Sequence, residues 1–447
     1  MQRFIGSDPD QLMLMPHDLK DWLPEKHLSR FIVEIVDQLD FRSVYGQYKG
    51  VGSAAYDPKM LLSLLFYGYS TGVFSSRKLE TMTYDSVAFR FICGNHHPDH
   101  DTISSFRKRF LPQIKDWFKQ ILFIGKELGF VKFGNIYIDG TKVQANASRH
   151  KAMSYDYMKK LEKQLEEEIS NLLSLAHAQD EKEQDLELDV PAEIERREDR
   201  LQKIRAAKEV VEQRARERYA KEKEAYDAKM KARAEKERRT GKKPGGRVPK
   251  APSQTPDGKD QYNFTDPQSQ IMKTSKGFDQ CYNGQAAVTD EMVIVGAYSN
   301  AHANDKEEFI PAINAVAQGV SGDIATAVAD TGYFSEKNIV DCQKKDIVPI
   351  IAKSREKHNR FLDKVLNGPG EQGYTSEQNG TNNTLNKEER TDIYKKRKQT
   401  VEPVFGIIKE ILGFRRFSLR GEVETDAEWS LVCTAYNLKR FFNMAMA

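Results

Sequence analysis

The sequence predicts a mixed α/β protein in which a helical N-terminal domain precedes an α/β domain that is interrupted by an inserted helical hairpin. Helical apolar patterns with capping residues fill residues 20–130, and short β-branched runs alternate with helical patterns between 135 and 352. Residues 161–240 combine a helical period with very high charge density. The predicted domains are 1–130 (helical, N-terminal), 131–150 with 261–447 (α/β), 151–240 (charged hairpin) and 241–260 (basic flexible linker).

The N-terminal domain is predicted from a series of helix starts. Pro58 can begin a helix through MLLSLLFYGYS, and Ser75 or Ser76 can cap the next. Asp85 or Ser86 can cap VAFRFICG, and Asp101 or Thr102 can cap a long helix, TISSFRKRFLPQIKDWFKQILFIGKELG. Short alternating helices of this kind are typical of a compact DNA-binding module.

Two motifs of this domain have competing interpretations. The basic triplet Arg107, Lys108 and Arg109 can bind phosphates, or it can form a solvated helix face. The HHPDH stretch, with a cysteine nearby, suggests zinc, but its spacing fits no standard zinc pattern and favours a loop that leads into a helix. The residues concerned are Cys93, His96, His97 and His100.

The α/β domain is predicted to contain five strands. NIYIDG, FDQCYNGQAAVTD and MVIVGAYSN read as the first three, with a turn near Asp290 between the last two. DKEEFIPAINAVAQG reads as a helix with Asp305 as N-cap and Glu308 completing a capping box. IATAVAD is a fourth, buried strand, SEKNIVDCQKKD a helix, and IVPIIA a fifth strand.

The inserted segment is predicted to form two long antiparallel helices. Apolar residues recur at helical spacing on both sides of an acidic break at 180–190. Residues 161–240 hold 22 acidic and 19 basic side chains, and this density makes a partly disordered spacer the alternative. The following Gly/Pro-rich basic stretch is predicted to be a linker that contacts phosphates, and residues 354–390 an exposed loop.

Composition excludes several other classes of protein. The four cysteines are widely spaced without a CxxC pair, which argues for a reduced cytosolic protein without a disulfide framework. The N-terminus lacks the pattern of a signal peptide, and no run of 18 apolar residues predicts a membrane span. The formal net charge is only +3, so the distribution of basic residues says more about partners than their total does.

Three acidic residues form a candidate metal site. Asp139 and Asp330 each follow an apolar run and are predicted at strand ends. Glu402 lies in an amphipathic helical pattern and is predicted to share a face with Lys398 and Lys409. Carboxylates suit Mg²⁺, and two such ions about 4 Å apart can hold the attacking and leaving oxygens of a phosphodiester. Each acid alone is more often a turn or surface residue, but the three in this order predict phosphoryl transfer.

These segments together resemble the DDE transposases of bacterial insertion sequences, in the group with a helical N-terminal domain and a ribonuclease-H-like catalytic domain. The order three strands, helix, strand, helix, strand, helix is that of the ribonuclease-H-like fold. The resemblance covers most of the chain outside the charged middle and the loop before the glutamate. It is carried by the stretches NHHPDHDTISSFRKRF, YIDGTKVQANAS, YNGQAAVTD, ADTGYFSEKNI, VEPVFGIIKEILGFRRFSLRG and TAYNLKRFF.

The resemblance implies roles for residues near the last acid. In the family, a tyrosine, an arginine or lysine, the glutamate and a lysine recur at fixed spacing on the last helix. Lys398 and Lys409 stand at the expected distances from Glu402. Tyr394 lies one residue further away than the pattern has, so the roles of Tyr394 and Arg397 stay open.

The implied activity is DNA transposition. Two Mg²⁺ or Mn²⁺ ions bound by the three acids would support cleavage at terminal inverted repeats and transfer of the freed 3′ end to target DNA. A nuclease that cuts without joining and a domesticated DNA-binding protein are the alternatives. The expected partners are double-stranded DNA and further copies of the chain, in a bacterial cytoplasm at the nucleoid. Candidate DNA contacts are Arg107, Lys108, Arg109, Lys398, Arg415 and Arg416, and Lys409 is expected beside the scissile phosphate.

Overall fold

A computed structural model describes residues 18–48, 54–180, 189–241, 245, 248–275, 277–316, 324–352 and 387–447. The chain forms two compact units. One unit combines the chain up to Asn146 with Cys281–Ala447, and the other is Ala147–Gln280. The loop predicted at 354–390 lies almost entirely outside the described residues.

The N-terminal part of the first unit is helical, as its capping residues predict. Asp57 caps the helix that Pro58 begins, because its carboxylate accepts a hydrogen bond from the Lys59 backbone N–H at 2.9 Å. Ser75 and Ser86 stand at the predicted starts of the next two helices. The helices are α1 (Leu28–Asp37), α2 (Arg42–Tyr45), α3 (Pro58–Ser70), α4 (Ser76–Asp85), α5 (Val87–Ile92), α6 (His100–Arg109) and α7 (Leu111–Glu127).

The long helix predicted from residue 102 to 128 is wrong in two details. Asp99, not Asp101 or Thr102, is the N-cap, and its carboxylate accepts from the Thr102 backbone N–H at 2.7 Å. The pattern also breaks at Phe110, where α6 ends and α7 begins. Pro112 stands in the first turn of α7, and because proline has no N–H it suits a helix start rather than a helix interior.

All five strands predicted for the α/β domain are present. They are β1 (Asn135–Gln144), β5 (Gly277–Thr289), β6 (Ile294–Asn300), β7 (Thr326–Ala329) and β8 (Val348–Ile351). In the sheet they stand in the order β6-β5-β1-β7-β8. Strand β5 runs antiparallel to both β6 and β1, whereas β1, β7 and β8 are parallel.

Strand β1 is longer than predicted. It continues past Asp139 and pairs with β5 as far as Gln144, so the Asp-Gly sequence is not a turn. Asp139 consequently lies inside the strand rather than at its end. Asp330 does follow the end of β7, where it caps a short 3-10 helix (Thr331–Tyr333) by accepting from the Gly332 N–H at 2.8 Å.

The capping box predicted at Asp305 and Glu308 is also wrong. Helix α10 begins later, at Phe309–Asn314, and the side chain of Asp305 accepts hydrogen bonds from other side chains instead of capping it. Glu308 is buried and accepts from Tyr298 and Asn300. Partners that are distant in sequence thus replace the local backbone partners of a capping box. Helix α11 (Glu336–Gln343) follows β7, with the predicted start at Ser335 as N-cap.

The segment around Glu402 is not one continuous helix. After α12 (Lys387–Lys396) come a 3-10 helix (Arg397–Gln399) and a break at Thr400, and α13 (Val401–Gly406) then runs into a π-helix (Ile407–Ile411). The predicted apolar side is confirmed, since Val404, Ile408 and Leu412 are buried.

The last helix, α14 (Glu422–Met446), joins the N-terminal helices to the sheet. Trp429 donates to the carbonyl of Gln285 on β5, and Asn437 bonds the backbone of Ile294 on β6. On its other side, Ser70 of α3 donates to the Ala435 carbonyl at 2.9 Å. The mixed α/β fold with a helical N-terminal region is as predicted.

The second unit contains the predicted pair of long helices. Apolar residues of α8 (Tyr155–Asp180) pack against α9 (Val190–Thr240), and Leu165 and Ile204 are buried in this core. Arg205 and Lys208 pair with Glu162, and Arg197 pairs with Glu168, so the helices run antiparallel. The short strands of this unit are β2 (Ala152–Ser154), β3 (Gln261–Asn263) and β4 (Gln270–Thr274), and β2 pairs with β3.

The part of the chain predicted as a basic linker ends in ordered contacts. The Gly258 and Asp260 carbonyls accept from the first residues of α8, and Asp260 pairs with Arg218 at 2.9 Å. The four cysteines are free and buried. Among the described residues, no helix is both long and apolar enough to cross a membrane.

Candidate active site

Asp139 lies within β1, and Asp330 directly follows the end of β7, the parallel strand beside β1. In the pairing of β1 with β7, Ile136 stands opposite Ala327 and Tyr137 opposite Val328. If this register is continued two residues beyond the last pair, Asp139 stands opposite Asp330. The charge of Asp330 also acts on Asp139. The two carboxylates predicted to share a site are therefore brought together by the sheet itself.

Glu402 reaches this pair through Arg397. The guanidinium of Arg397 donates to Asp139 Oδ2 at 3.2 Å and to Glu402 Oε1 at 2.8 Å. The Arg397 side chain is only 10% exposed, whereas that of Glu402 is 45% exposed. A buried cation thus connects the first and third predicted acids. Tyr394 lies one residue further from Glu402 than the family pattern has, and the 3-10 helix and Thr400, which separate α12 from α13, lie between these two residues.

The environment of Asp139 disfavours its charge. Burial raises the pKa of Asp139 to about 7; Arg397 opposes this shift, and the negative charges of Asp330 and Asp305 add to it. Burial alone would lower the pKa of Arg397, but the charges of Asp139 and Glu402 outweigh it and raise that pKa. A further positive charge at this site would stabilise the ionised form of Asp139.

The two predicted lysines differ in placement. Lys409, in the π-helix, donates to the Lys142 carbonyl on β1 at 2.8 Å, which holds it beside the strand of Asp139. Burial lowers the pKa of Lys409. Lys398 is exposed and lies in the 3-10 helix before α13. The prediction that it shares a helix face with Glu402 is therefore wrong.

The predicted basic triplet does not form one surface. Arg107 is buried and donates to the Tyr69 hydroxyl at 2.9 Å, so we remove it from the residues proposed to contact DNA. Lys108 and Arg109 are exposed. Arg109 also donates to the Gln47 carbonyl at 2.6 Å.

A basic surface surrounds the end of β1. The chain at Arg415 and Arg416 lies beside Gln144, whose backbone exchanges hydrogen bonds with Arg415 and Phe417. The exposed side chain of Arg416 donates to the Ala145 carbonyl at 3.2 Å. Lys108 and the exposed Arg420 line one cavity next to this strand end. We call Lys108, Arg415, Arg416 and Arg420 the β1-end basic surface.

The histidines of the His-rich stretch in the N-terminal domain have separate side-chain partners. His97 contacts Thr83 at 3.1 Å and stacks on Tyr84, while His100 pairs with Glu80 at 2.8 Å. These separate partners agree with the interpretation of the stretch as a loop leading into a helix. Within the described part of the chain, no three His, Cys, Asp or Glu side chains are arranged to hold a metal.

The three acids nevertheless fit divalent cations by their chemistry. All three supply carboxylate oxygens, which Mg²⁺ and Mn²⁺ prefer. A positive group, Arg397, already compensates two of them. In the arrangement described here, a metal bound between Asp139 and Glu402 would have to displace that guanidinium.

Comparison with known families completes the description of the site. Residues 17–109 match the family model described as Transposase domain (DUF772), and residues 247–438 match the one described as Transposase DDE domain. The chain belongs to the DDE transposases. This transposase therefore acts on DNA, in a family that uses divalent metal ions and has a ribonuclease-H-like catalytic domain. No curated protein and no solved structure matches the chain.

Not all of the predicted site residues of the transposase lie within the two matched ranges. Asp330, Glu402 and Lys409 lie inside the second range, whereas Asp139 lies between the two. Sequence reasoning left the role of Arg397 open and assigned Asp305 to a helix cap. The wider spacing of Tyr394 from Glu402 was a usable signal, because a break in the helix separates the two residues and Arg397 lies at that break. For Asp305, the sequence held no signal of its side-chain partners on β1 and β5.

Proposed function

We propose that this transposase binds the terminal inverted repeats of an insertion sequence, cleaves the DNA there and transfers the freed strand to target DNA. The observation that supports this most is the grouping of Asp139, Asp330 and Glu402, with Arg397 joining two of them. Three acids from a central strand, a strand end and a helix are suited to metal-dependent phosphoryl transfer.

Asp139, Asp330 and Glu402 would hold the metal, which we propose to be two Mg²⁺ or Mn²⁺ ions. Such ions supply Lewis acidity, which favours deprotonation of the nucleophile and stabilises charge on the phosphate oxygens. The rigid pairing of β1 with β5 and β7 fixes the position of Asp139. Of the two acids that Arg397 joins, Glu402 is the more exposed, at 45% of its side chain against 21% for Asp139.

Both proposed reactions exchange one phosphorus–oxygen bond for another. In cleavage, a water oxygen bonds to phosphorus, the bond to the 3′ oxygen breaks, a water proton passes to solvent, and the leaving 3′ oxygen takes up a proton. In transfer, the 3′ hydroxyl of the element loses its proton to solvent, its oxygen bonds to a target phosphorus, and the target's 3′ oxygen is displaced and takes up a proton. No covalent bond to the protein is needed in either step.

The basic residues near the acids are proposed to bind the DNA backbone. Lys409 uses one of its three N–H donors on β1, so the other two can contact a phosphate beside the scissile bond. The β1-end basic surface is proposed to carry the adjoining DNA, with Lys398 and Arg109 as further contacts. The N-terminal domain, residues 1–130, is proposed to bind the repeats together with the basic stretch 241–260.

Incubation with end-labelled element DNA and Mg²⁺ tests this function. We expect nicked or cut ends at the repeat boundary, followed by products joined to target DNA. Cleavage without joined products in the presence of target would instead indicate a nuclease. Binding without either product would indicate a DNA-binding protein that has lost catalysis.

We propose that the active form is a homo-oligomer, because transposition requires two element ends to be held together. Mass photometry of the chain with repeat DNA tests this. We expect a complex with two DNA ends and more than one copy of the protein, whereas a single copy on each end would contradict it. A protein with this substrate is expected to associate with the bacterial nucleoid.

A further inference from the structure

A cluster of polar side chains lies against β1 next to the acidic site and contains none of the three proposed metal ligands. It consists of Lys142, Asn283, Gln285, Asp305 and Tyr333, and we call it the Asp305 cluster. In the pairing of β1 with β5, Lys142 stands opposite Asn283 and Gly140 opposite Gln285. Side chains alternate between the faces of a strand, so this cluster lies on the opposite face of β1 from Asp139.

Asp305 is the acceptor at the centre of the cluster. Its Oδ1 accepts from Asn283 Nδ2 at 2.6 Å, from Gln285 Nε2 at 2.8 Å and from Lys142 Nζ at 3.3 Å. Asn283 and Gln285 are completely buried, and Lys142 is 20% exposed. Buried amides need such partners, because an unpaired buried donor costs about 1–3 kcal/mol.

Gly140 provides the space that the cluster occupies. A Cβ at position 140 would overlap the Gln285 amide nitrogen and would lie 2.8 Å from Asp305 Oδ1. No other residue type fits at this position without displacing the cluster. The residue directly after Asp139 therefore lets the carboxylate of Asp305 approach the backbone of β1.

The cluster also reaches the segment that carries Asp330. The Tyr333 hydroxyl donates to Gln285 Oε1 at 2.6 Å, and Tyr333 is buried at the end of the 3-10 helix that Asp330 caps. Asn338 of α11 donates both to the Tyr333 carbonyl and to the carbonyl of Lys306, which follows Asp305. Gln285 thus connects Asp305 on one side with the Asp330 turn on the other.

We propose that Asp305 is a positioning residue of the acidic site. Its carboxylate orients Gln285, Gln285 holds Tyr333, and Tyr333 keeps the Asp330 turn at a fixed distance from Asp139 on β1. Asp305 itself lies on the wrong face of the strand to bind a metal shared with Asp139. This inference rests on the proposed function, because it assumes that Asp139 and Asp330 bind metal together.

Asp305→Asn tests the inference, with Glu307→Gln as its control. Glu307 is an exposed acid two residues away on the same segment, so its substitution removes the same charge without touching the cluster. Mn²⁺ binding to the full chain is measured by electron paramagnetic resonance, and kcat and KM by cleavage of repeat DNA. Residues that orient metal ligands typically change metal affinity or activity by about 10–100-fold.

We expect Asp305→Asn to weaken Mn²⁺ binding and lower kcat within that range, with KM for DNA unchanged. Glu307→Gln is expected to match the wild type in all three quantities. Circular dichroism melting of each variant shows whether the fold is retained. Wild-type Mn²⁺ affinity in a folded Asp305→Asn variant would overturn the inference.

Tyr333→Phe supplies a second and independent test. If Asp305 acts through Gln285 and Tyr333, the two substitutions share one path, and the double variant should lose little more Mn²⁺ affinity than the worse single variant. Fully additive losses would overturn this path. A wild-type chain that binds Mn²⁺ but leaves repeat DNA intact would refute the proposed function, while the Mn²⁺ comparison would still decide the role of Asp305.

Discussion

Arg397 donates a hydrogen bond to Asp139 Oδ2 at 3.2 Å from the 3-10 helix that precedes Glu402. The same guanidinium bonds Glu402, so the positive charge lies between two proposed metal ligands. Charge-assisted hydrogen bonds are roughly twice as strong as neutral ones. The acidic site therefore has an internal cation, and we propose that an external cation would compete with it.

Arg397→Gln is expected to increase Mn²⁺ affinity in the absence of DNA. Hydrogen bonds to charged groups contribute about 1.5–3 kcal/mol each, and about 1.4 kcal/mol corresponds to a tenfold change in affinity. We therefore expect binding to be tighter by tenfold or more in calorimetric titration. Lys398→Gln is the matched control, because Lys398 is the exposed neighbour. Unchanged or weaker binding by Arg397→Gln would show that Arg397 does not compete with the metal.

Asp330→Asn is expected to abolish cleavage and leave DNA binding nearly intact. Loss of one metal ligand removes several kcal/mol of stabilisation of the transition state, and each 1.36 kcal/mol is about tenfold in rate. Cleavage should fall by about a hundredfold or more. Gel shifts on the same repeat DNA measure binding, and Glu336→Gln, at an exposed acid of α11, is the control. A mutant that cuts at the wild-type rate would refute the three-carboxylate mechanism.

Substitution of Lys108 should change the salt dependence of DNA binding, whereas substitution of its neighbour Arg107 should change the stability of the fold. Lys108→Gln is expected to reduce the salt dependence of DNA affinity by about 0.9 in the log–log slope, with unchanged stability, because one phosphate contact is lost. Arg107→Gln is expected to lower the free energy of unfolding by about 1–3 kcal/mol, because the buried Tyr69 hydroxyl loses its donor. Fluorescence anisotropy at several salt concentrations and urea unfolding measure the two effects. A lower salt slope for Arg107→Gln with normal stability would contradict the burial of Arg107.

His302 and Glu308 predict a pH dependence of stability. The hydrogen bond to Glu308 raises the pKa of His302 above its ordinary 6.5, so the pair stabilises the fold below 6.5 and this contribution is lost as pH rises through the folded value. Burial acts to raise the pKa of Glu308, but hydrogen bonds from His302 and Tyr298 outweigh it and lower that pKa below 4.5. The contribution of Glu308 is thus present above 4.5 and lost as pH falls through its folded value.

The pair should therefore contribute most between about pH 4.5 and 6.5. Titration of the His302 ring by NMR should give a midpoint above 6.5, and His302→Gln should reduce stability at pH 6 more than at pH 9. His96→Gln is the control, because His96 contacts the ring of Tyr56 and not a carboxylate. A His302 midpoint at or below 6.5 would contradict the ion pair.

The stability of the hairpin of α8 and α9 should depend on the apolar side chains buried between the two helices. Ile204 is 1% exposed, and Ile204→Ala is expected to lower the free energy of unfolding of the hairpin by about 2–5 kcal/mol. Leu173→Ala, at a residue 45% exposed, should change it by less than about 0.5 kcal/mol. Hydrogen exchange of the helix amides measures both, and equal effects would show that the two helices do not form this core.

The helices and strands could be predicted because the spacing of apolar residues along the sequence matches the positions that are buried in the structure. The runs that became β5, β7 and β8 are mostly buried, and Leu161, Leu165 and Leu201 of the hairpin face its core. Asp139 was misplaced because an Asp-Gly pair usually makes a turn, whereas here Gly140 continues the strand opposite Gln285. Pairing between distant strands decided this, and the local sequence does not carry that information.

Polar residues were predicted less well than apolar ones. Asp305 and Glu308 have the spacing of a capping box, but side chains from β1, β5 and β6 bind them instead. Arg107 looks like its exposed neighbours in the sequence, yet it faces Tyr69 in the interior. The partners of a polar side chain depend on which elements pack together, and only the folded chain determines this.

The π-helix between Ile407 and Ile411 determines how the chain on its two sides is rotated about the helix axis. The Leu412 N–H bonds the Ile407 carbonyl, which closes a loop one residue longer than in an α-helix. An α-helix advances about 100° for each residue, so deletion of one residue here would restore a regular helix and turn the segment that carries Glu402 by about that angle relative to the chain after Leu412. The wide turn therefore sets the rotational phase between Glu402 and the basic residues Arg415 and Arg416.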